Sequence, residues 1–276
     1  MPTPTPEDEA ELESSKAPLL EHLVELRNRI IRSVFAFLIA FIICFAFAKP
    51  IFQFLTQPLS DALAGQANRT MIFTALYEQF FTYVKIGMFG ALCLAFPYMA
   101  FQLWAFIAPG LYKHERKAFI PFLVATPIMF ILGACFVYYL MLPRVIHFFL
   151  SEEVPGGPGQ IAIQLAPRVG EYLSFVMTLI FAFGVCFELP VLLTLLGRVG
   201  IVSSKGLASA RRYAIVGVFA VAAVVTPPDV FSQLSLAFPL VGLYEVSIWC
   251  VKLIERNRAR AEAAEAAASA RNVQPT

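Results

Sequence analysis

Long apolar blocks bounded by clusters of charge constrain this chain more than any other feature. Residues 30–48, 86–108, 118–142 and 172–196 form four such blocks. A hydrocarbon core of ~30 Å is crossed by about 20 helical residues at ~1.5 Å each, so every one of these blocks is long enough to span a bilayer. Composition agrees, with 59% hydrophobic residues, 14% charged residues and a mean hydropathy of +0.72, against roughly 45–50% apolar and ~25% charged in soluble domains. Lipid supplies no hydrogen bonds to a backbone, so the blocks must be helices. The expected fold class is all-α, a polytopic integral membrane protein.

A further pair of apolar segments, residues 213–225 and 231–251, is separated by Thr226-Pro-Pro-Asp229. The first is about 13 residues long, or ~20 Å as a helix. The pair reads as a re-entrant hairpin or as two short spans in a locally thinned bilayer, because mismatch costs only fractions of a kcal/mol per Å. Either reading returns the C-terminus to the side of the N-terminus.

Basic residues orient the chain. All but Lys49, Arg69, Lys85, Arg144 and Arg168 of the 21 Lys and Arg residues fall on the side holding the N-terminus. Both termini are therefore expected in the cytoplasm. Residues 1–17 are acidic and Pro/Thr-rich, unlike the basic start of a cleaved signal peptide, and are expected to form a disordered cytoplasmic tail. Residues 18–252 make the membrane domain, and the Ala/Glu/Arg-rich residues 253–276 a cytoplasmic tail that reads as a solvated helix.

The polar side chains exclude several chemistries. Cys44, Cys93, Cys135, Cys186 and Cys250 lie in or at the ends of apolar spans without a Cys-x-x-Cys pair, and read as small hydrophobes. His22 and His114 are expected on the cytoplasmic side and His147 opposite, so they do not converge on a metal. Phosphate-cradling loops, His-Glu-x-x-His and Gly-x-Ser-x-Gly are missing from the sequence, and no enzyme, cofactor, metal or nucleic-acid partner is expected. An inverted repeat of the kind that marks alternating-access transporters is not apparent.

A few carboxylates in unusual places remain. Glu25 lies in an amphipathic stretch in which Leu19, Leu23, Leu26 and Ile30 recur at helical spacing. It reads either as an i,i+4 partner of Arg29 or as an acceptor for a cationic ligand. Glu115, among Lys113, Arg116 and Lys117, either neutralises its neighbours or joins Glu25 in such an acceptor. Carboxylates suit arginine because the guanidinium fork is matched bidentately and an ammonium is not. Glu188 lies about nine residues, ~13 Å, from the cytoplasmic end of its span. A carboxylate at that depth costs roughly 2.5–3.5 kcal/mol and needs a partner, a wet cavity or a proton. Pro190 is expected to kink the helix beside it. Asp229 reads as the cap of the last helix.

Four segments in order carry a family resemblance: His22-Leu-Val-Glu-Leu-Arg27; Trp104-Ala-Phe-Ile-Ala-Pro-Gly-Leu-Tyr-Lys-His-Glu-Arg116; Tyr172-Leu-Ser-Phe-Val-Met177 with Phe183-Gly-Val-Cys-Phe-Glu-Leu-Pro190; and Thr226-Pro-Pro-Asp-Val-Phe-Ser-Gln233. From about residue 20 to 252 the chain resembles TatC, the multispanning core of the twin-arginine protein translocase of the bacterial inner membrane. The resemblance implies six transmembrane helices, two of them short, forming a concave wall. It implies a receptor for twin-arginine signal peptides that, with the single-span subunits TatA and TatB, moves folded proteins using the proton motive force, as a homo-oligomer within a receptor complex. It assigns Glu25, Glu115, Arg27 and Phe106 to signal-peptide binding, and Glu188, Pro58, Asp229 and Gln233 to partner contact or transport. The chain departs from the family pattern before the fifth span, where Arg211-Arg212-Tyr213 lacks a proline, and in the Gly/Pro-rich loop 151–170. The residues alone leave a second class open, a proton-coupled small-solute transporter with Glu188 as proton carrier.

Overall fold

The apolar blocks become helices, two of them interrupted, one by a π turn and one by a proline. The computed structural model describes all residues except 1–5, 65–69, 108–115, 155–156, 158–160, 162–163, 227–228 and 273–276, and leaves the side chains of 6–21, 107, 116–120, 261–262 and 265–272 undescribed. The helices are α1 (Pro6–Ala46), α2 (Ala48–Ala62), α3 (Glu78–Ile107), α4 (Arg116–Cys135), α5 (Leu142–Ser151), α6 (Val169–Cys186), α7 (Leu189–Val199), α8 (Ser204–Ser209), α9 (Arg211–Val225) and α10 (Val230–Asn272), with a π-helical turn at Phe136–Met141 between α4 and α5. Among the described residues, five stretches are long and apolar enough to cross a membrane: His22–Ala46, Glu78–Phe106, Pro121–Ser151, Val169–Val199 and Val230–Arg260. Their outward faces carry large apolar side chains such as Ile42, Leu94, Ile131 and Phe238, as lipid contact requires.

The structure departs from the expectations at one place and sharpens them at two. Residues 1–17 were expected to be disordered, yet the backbone is helical from Pro6 onward; Glu, Ala and Leu are good helix formers, and acidic residues favour a helix N-terminus. Of the two spans implied to be short, α9 has 15 residues, ~22 Å, and the other begins α10, whose 43 residues continue unbroken into the tail read as a solvated helix. Residues 253–272 contain neither Gly nor Pro to stop it. The fourth span is two helices, α6 and α7, because Pro190 in the first turn of α7 offers no N–H to continue α6.

Small residues decide which helices meet. Gly87 and Gly90 of α3 lie against Phe41, Phe45 and Cys44 of α1, where an added Cβ would sit 3.1–3.2 Å from its neighbours. Gly133 of α4 brings its backbone against α6, and a Cβ there would lie 2.6 Å from the Phe183 carbonyl oxygen. Close approach of this kind is how helices associate in lipid, where apolar burial alone gives no drive. A Gly133→Ala variant is accordingly expected to lose about 1–3 kcal/mol, because backbone rather than a pliable side chain must yield. Thermal unfolding in detergent checks this; an unchanged midpoint would show that the α4–α6 contact tolerates separation.

The main core joins α2, α3, the π turn, α5, α6 and α10 through Leu55, Ile86, Val137, Val145, Leu173 and Leu236. On one side of the membrane the loops before α3 and α6 are tied together. The Ile72 N–H donates to the Pro167 carbonyl (3.3 Å) and the Val169 N–H to the Ile72 carbonyl (3.2 Å), while Glu78 accepts from the Thr74 and Gly170 N–H groups at 2.7 and 3.2 Å. On the other side Glu255 of α10 accepts from the Ser204 N–H at 2.8 Å and from its hydroxyl, and Glu245 of α10 clasps Arg211 of α9 at 2.7 Å. These two sets of loops are the ones that the charge distribution places on opposite membrane faces.

Candidate functional site

At its cytoplasmic end α1 lies along α3, and this contact builds a polar cluster on an otherwise apolar pair. Positions 25 and 29 share one face of α1, one turn apart. Arg29 places Nη2 2.6 Å and Nε 3.0 Å from the same oxygen, Glu25 Oε1. Its Nη1 reaches across to α3 and donates to Gln102 Oε1 at 3.2 Å. Gln102 is only 5% exposed. Glu25 Oε2 is 3.7 Å from His22 Nδ1, beyond hydrogen-bond range. The His22 ring stacks on Phe106 of α3, with centroids 4.2 Å apart and planes 14° from parallel. Charge, amide and stacked rings thus share one corner, open enough that the Glu25 side chain keeps 35% of its exposure and Arg29 20%.

Of the residues implied to bind signal peptides, Glu25 and Phe106 come together here through His22. Arg27 is exposed on α1 and makes no hydrogen bond or ion pair with the cluster among the described residues. Glu115 lies outside the described residues. The i,i+4 pairing of Glu25 with Arg29, one of its two sequence readings, is present.

The residues implied in transport do not join this corner. Glu188 stands at the break between α6 and α7, and both its carboxyl oxygens are buried without a hydrogen bond among the described residues. The hydroxyl of Thr126 on α4, also buried, lies close enough to interact with this carboxyl, although the pair does not meet hydrogen-bond geometry. Pro58 is buried in α2 and borders a cleft of about 470 Å³ that Phe54, Asp61, Tyr138, Tyr139 and His147 also line. Asp229 caps α10, as expected, with Oδ1 accepting the Ser232 N–H at 2.6 Å, while Oδ2 and the Ser232 hydroxyl are buried and unpaired among the described residues. Gln233 reaches back from α10 to α9, Nε2 donating to the Phe219 carbonyl at 3.4 Å.

Gln102, Thr126 and Ser232 escaped the sequence reading. Gln102 had a usable signal, an uncharged amide inside an apolar span, which lipid disfavours unless a partner waits. Hydroxyls give no such signal, because Ser and Thr usually satisfy themselves on their own helix.

Comparison with known proteins places this geometry in a family. The family model described as "Sec-independent protein translocase protein (TatC)" matches residues 21–239. The Sec-independent protein translocase protein TatC of Magnetococcus marinus is 49% identical over 252 residues, covering 91% of this chain and 90% of that one. Its counterpart in Escherichia coli K12 is 40% identical over 232 residues, covering 84% and 87%. A crystal structure described as the twin arginine translocase receptor TatC superposes with a TM-score of 0.74 at 39% identity, covering 85% of this chain and 99% of that one. Family match, whole-length relatives and shared fold agree: the chain belongs to the TatC family of multi-pass, Sec-independent protein translocase proteins.

Proposed function

We propose that this protein is the twin-arginine signal-peptide receptor and core translocation component of a bacterial inner membrane, acting on folded cargo. The observation that carries the reading is the partly open Glu25 carboxylate, beside the His22–Phe106 stack, in a chain whose relatives are translocase proteins and a twin-arginine translocase receptor. Glu25 and Glu115 each take a guanidinium of the signal peptide at the cytoplasmic surface, Phe106 packs against the peptide, and Arg27 contributes from the exposed face of α1. TatA and TatB, single-span subunits, complete the machine in a complex holding more than one copy of this chain, with the proton motive force as its energy source. Glu188 offers a docking point for a polar group of a partner helix, and Pro58, Asp229 and Gln233 shape the opposite side for transport. The relatives are components of a protein translocase, which favours this role over small-solute transport.

Binding of a twin-arginine peptide and of its twin-lysine counterpart to proteoliposomes containing the protein tests the reading. A guanidinium fork meets a carboxylate with two charge-assisted bonds where an ammonium meets it as a point charge. The arginine peptide is expected to bind roughly tenfold tighter or more. Equal affinities would remove the bidentate acceptor from the proposal.

A further inference from the structure

We propose that Arg29 is a built-in occupant of the signal-peptide acceptor, a guanidinium of the receptor itself that holds the Glu25 carboxylate until a peptide arginine displaces it. The inference rests on Glu25 being part of that acceptor. In the absence of a peptide, Glu25 is already engaged by the group type it would recognise, with two donors of Arg29 converging on Oε1 at 2.6 and 3.0 Å. The grip is lopsided. Both donors crowd onto one oxygen, and Oε2 has His22 Nδ1 only at 3.7 Å. A guanidinium arriving from outside can span both oxygens, a geometry that Arg29, tethered one turn away on the same helix, does not reach here. Arg29 also has somewhere to stay, because Nη1 is bonded to the buried Gln102 amide at 3.2 Å. Releasing Glu25 leaves that anchor across to α3 in place. A lysine ammonium would have to displace a forked pair with a single point charge, so the occupant raises the threshold for weak cationic ligands.

Affinity of the full-length protein in proteoliposomes for the twin-arginine and twin-lysine peptides tests this in wild type, Arg29→Gln, Arg29→Lys and Arg32→Gln. Arg29→Gln frees the carboxylate. Arg29→Lys keeps the charge and removes the fork. Arg32→Gln removes an equal, exposed charge on the same helix. Freeing a part-exposed ion pair is expected to tighten both peptides roughly two- to fivefold in Arg29→Gln. Arg29→Lys should tighten them in the same direction, and Arg32→Gln should leave them unchanged. Weaker binding of both peptides in Arg29→Gln and Arg29→Lys would overturn the proposal and make Arg29 a brace between α1 and α3. Equal tightening in Arg29→Gln and Arg32→Gln, with Arg29→Lys at wild-type affinity, would overturn it in favour of net charge. Lack of arginine preference in the wild type would instead sink the receptor reading, so the two failures are told apart.

Discussion

Converting Glu25 and Glu115 together to Gln is expected to lower twin-arginine peptide affinity by more than about a hundredfold and to stop export of a folded reporter. Glutamine keeps the shape of the side chain and one acceptor oxygen. It loses the charge, and its amide hydrogens oppose an incoming guanidinium. Hydrogen bonds to charged groups are worth ~1.5–3 kcal/mol each, so removing two carboxylates removes upward of ~3 kcal/mol. Solvent screening puts Glu25, with 35% of its side chain exposed, at the lower end of that range. The Glu25→Gln change brings a second defect. Arg29, whose fork is satisfied by Glu25 at 2.6 and 3.0 Å, is left as an uncompensated cation beside the site and repels the peptide. Peptide binding to proteoliposomes, with reporter export in cells carrying the variant as their single copy, measures both effects. Affinity within twofold of wild type would place the arginine contacts elsewhere on the cytoplasmic surface.

Glu188→Leu is expected to separate stability from transport, raising the first and abolishing the second. Both carboxyl oxygens of Glu188 are buried without a hydrogen bond among the described residues, and a carboxylate deep in a bilayer costs roughly 2.5–3.5 kcal/mol. Leucine of similar volume removes that cost and the unpaired acceptor at once, so the isolated protein should gain up to about 2–3 kcal/mol, read as a higher unfolding temperature in detergent. Under the proposed docking role, the carboxyl serves a partner helix rather than the fold. Crosslinking of TatA or TatB beside α6 and α7 should fall to background in the same variant, and export with it. A less stable variant would show that the carboxyl braces the α6–α7 break, and undiminished crosslinking would end its role as a docking point.

The two glutamates were legible in the sequence to different depths. Glu188 stood out because a charge inside an apolar block is unfavourable wherever the block packs, a property that needs no knowledge of its neighbours. Glu25 carried two readings, the plainer one being the i,i+4 partner, since that partner and a cationic ligand both satisfy a surface carboxylate. Its structure contains the first, and that pair became informative only once the reach of Arg29 to Gln102, 73 positions away, was visible. Gln102 looked like an ordinary residue of a span until α1 lay against it. Asp229 was read as a cap from the two prolines before it, and it caps.

Residence in a membrane, the four long blocks that cross it and the side that holds the termini all follow from the order of residues along the chain. Insertion responds to the hydropathy of each block and to the Lys and Arg flanking it, and both are local sums. Which helices touch, and therefore which polar groups meet, emerges only on packing. Those contacts depend on backbone approach at Gly87, Gly90, Gly133 and Gly184, on the break that Pro190 makes before α7, and on pairings such as Ile72 with Arg168. Lipid solvates every apolar face about equally well, so hydrophobic pattern does not say which face finds a protein neighbour. Shape does, and shape exists only once the helices are packed.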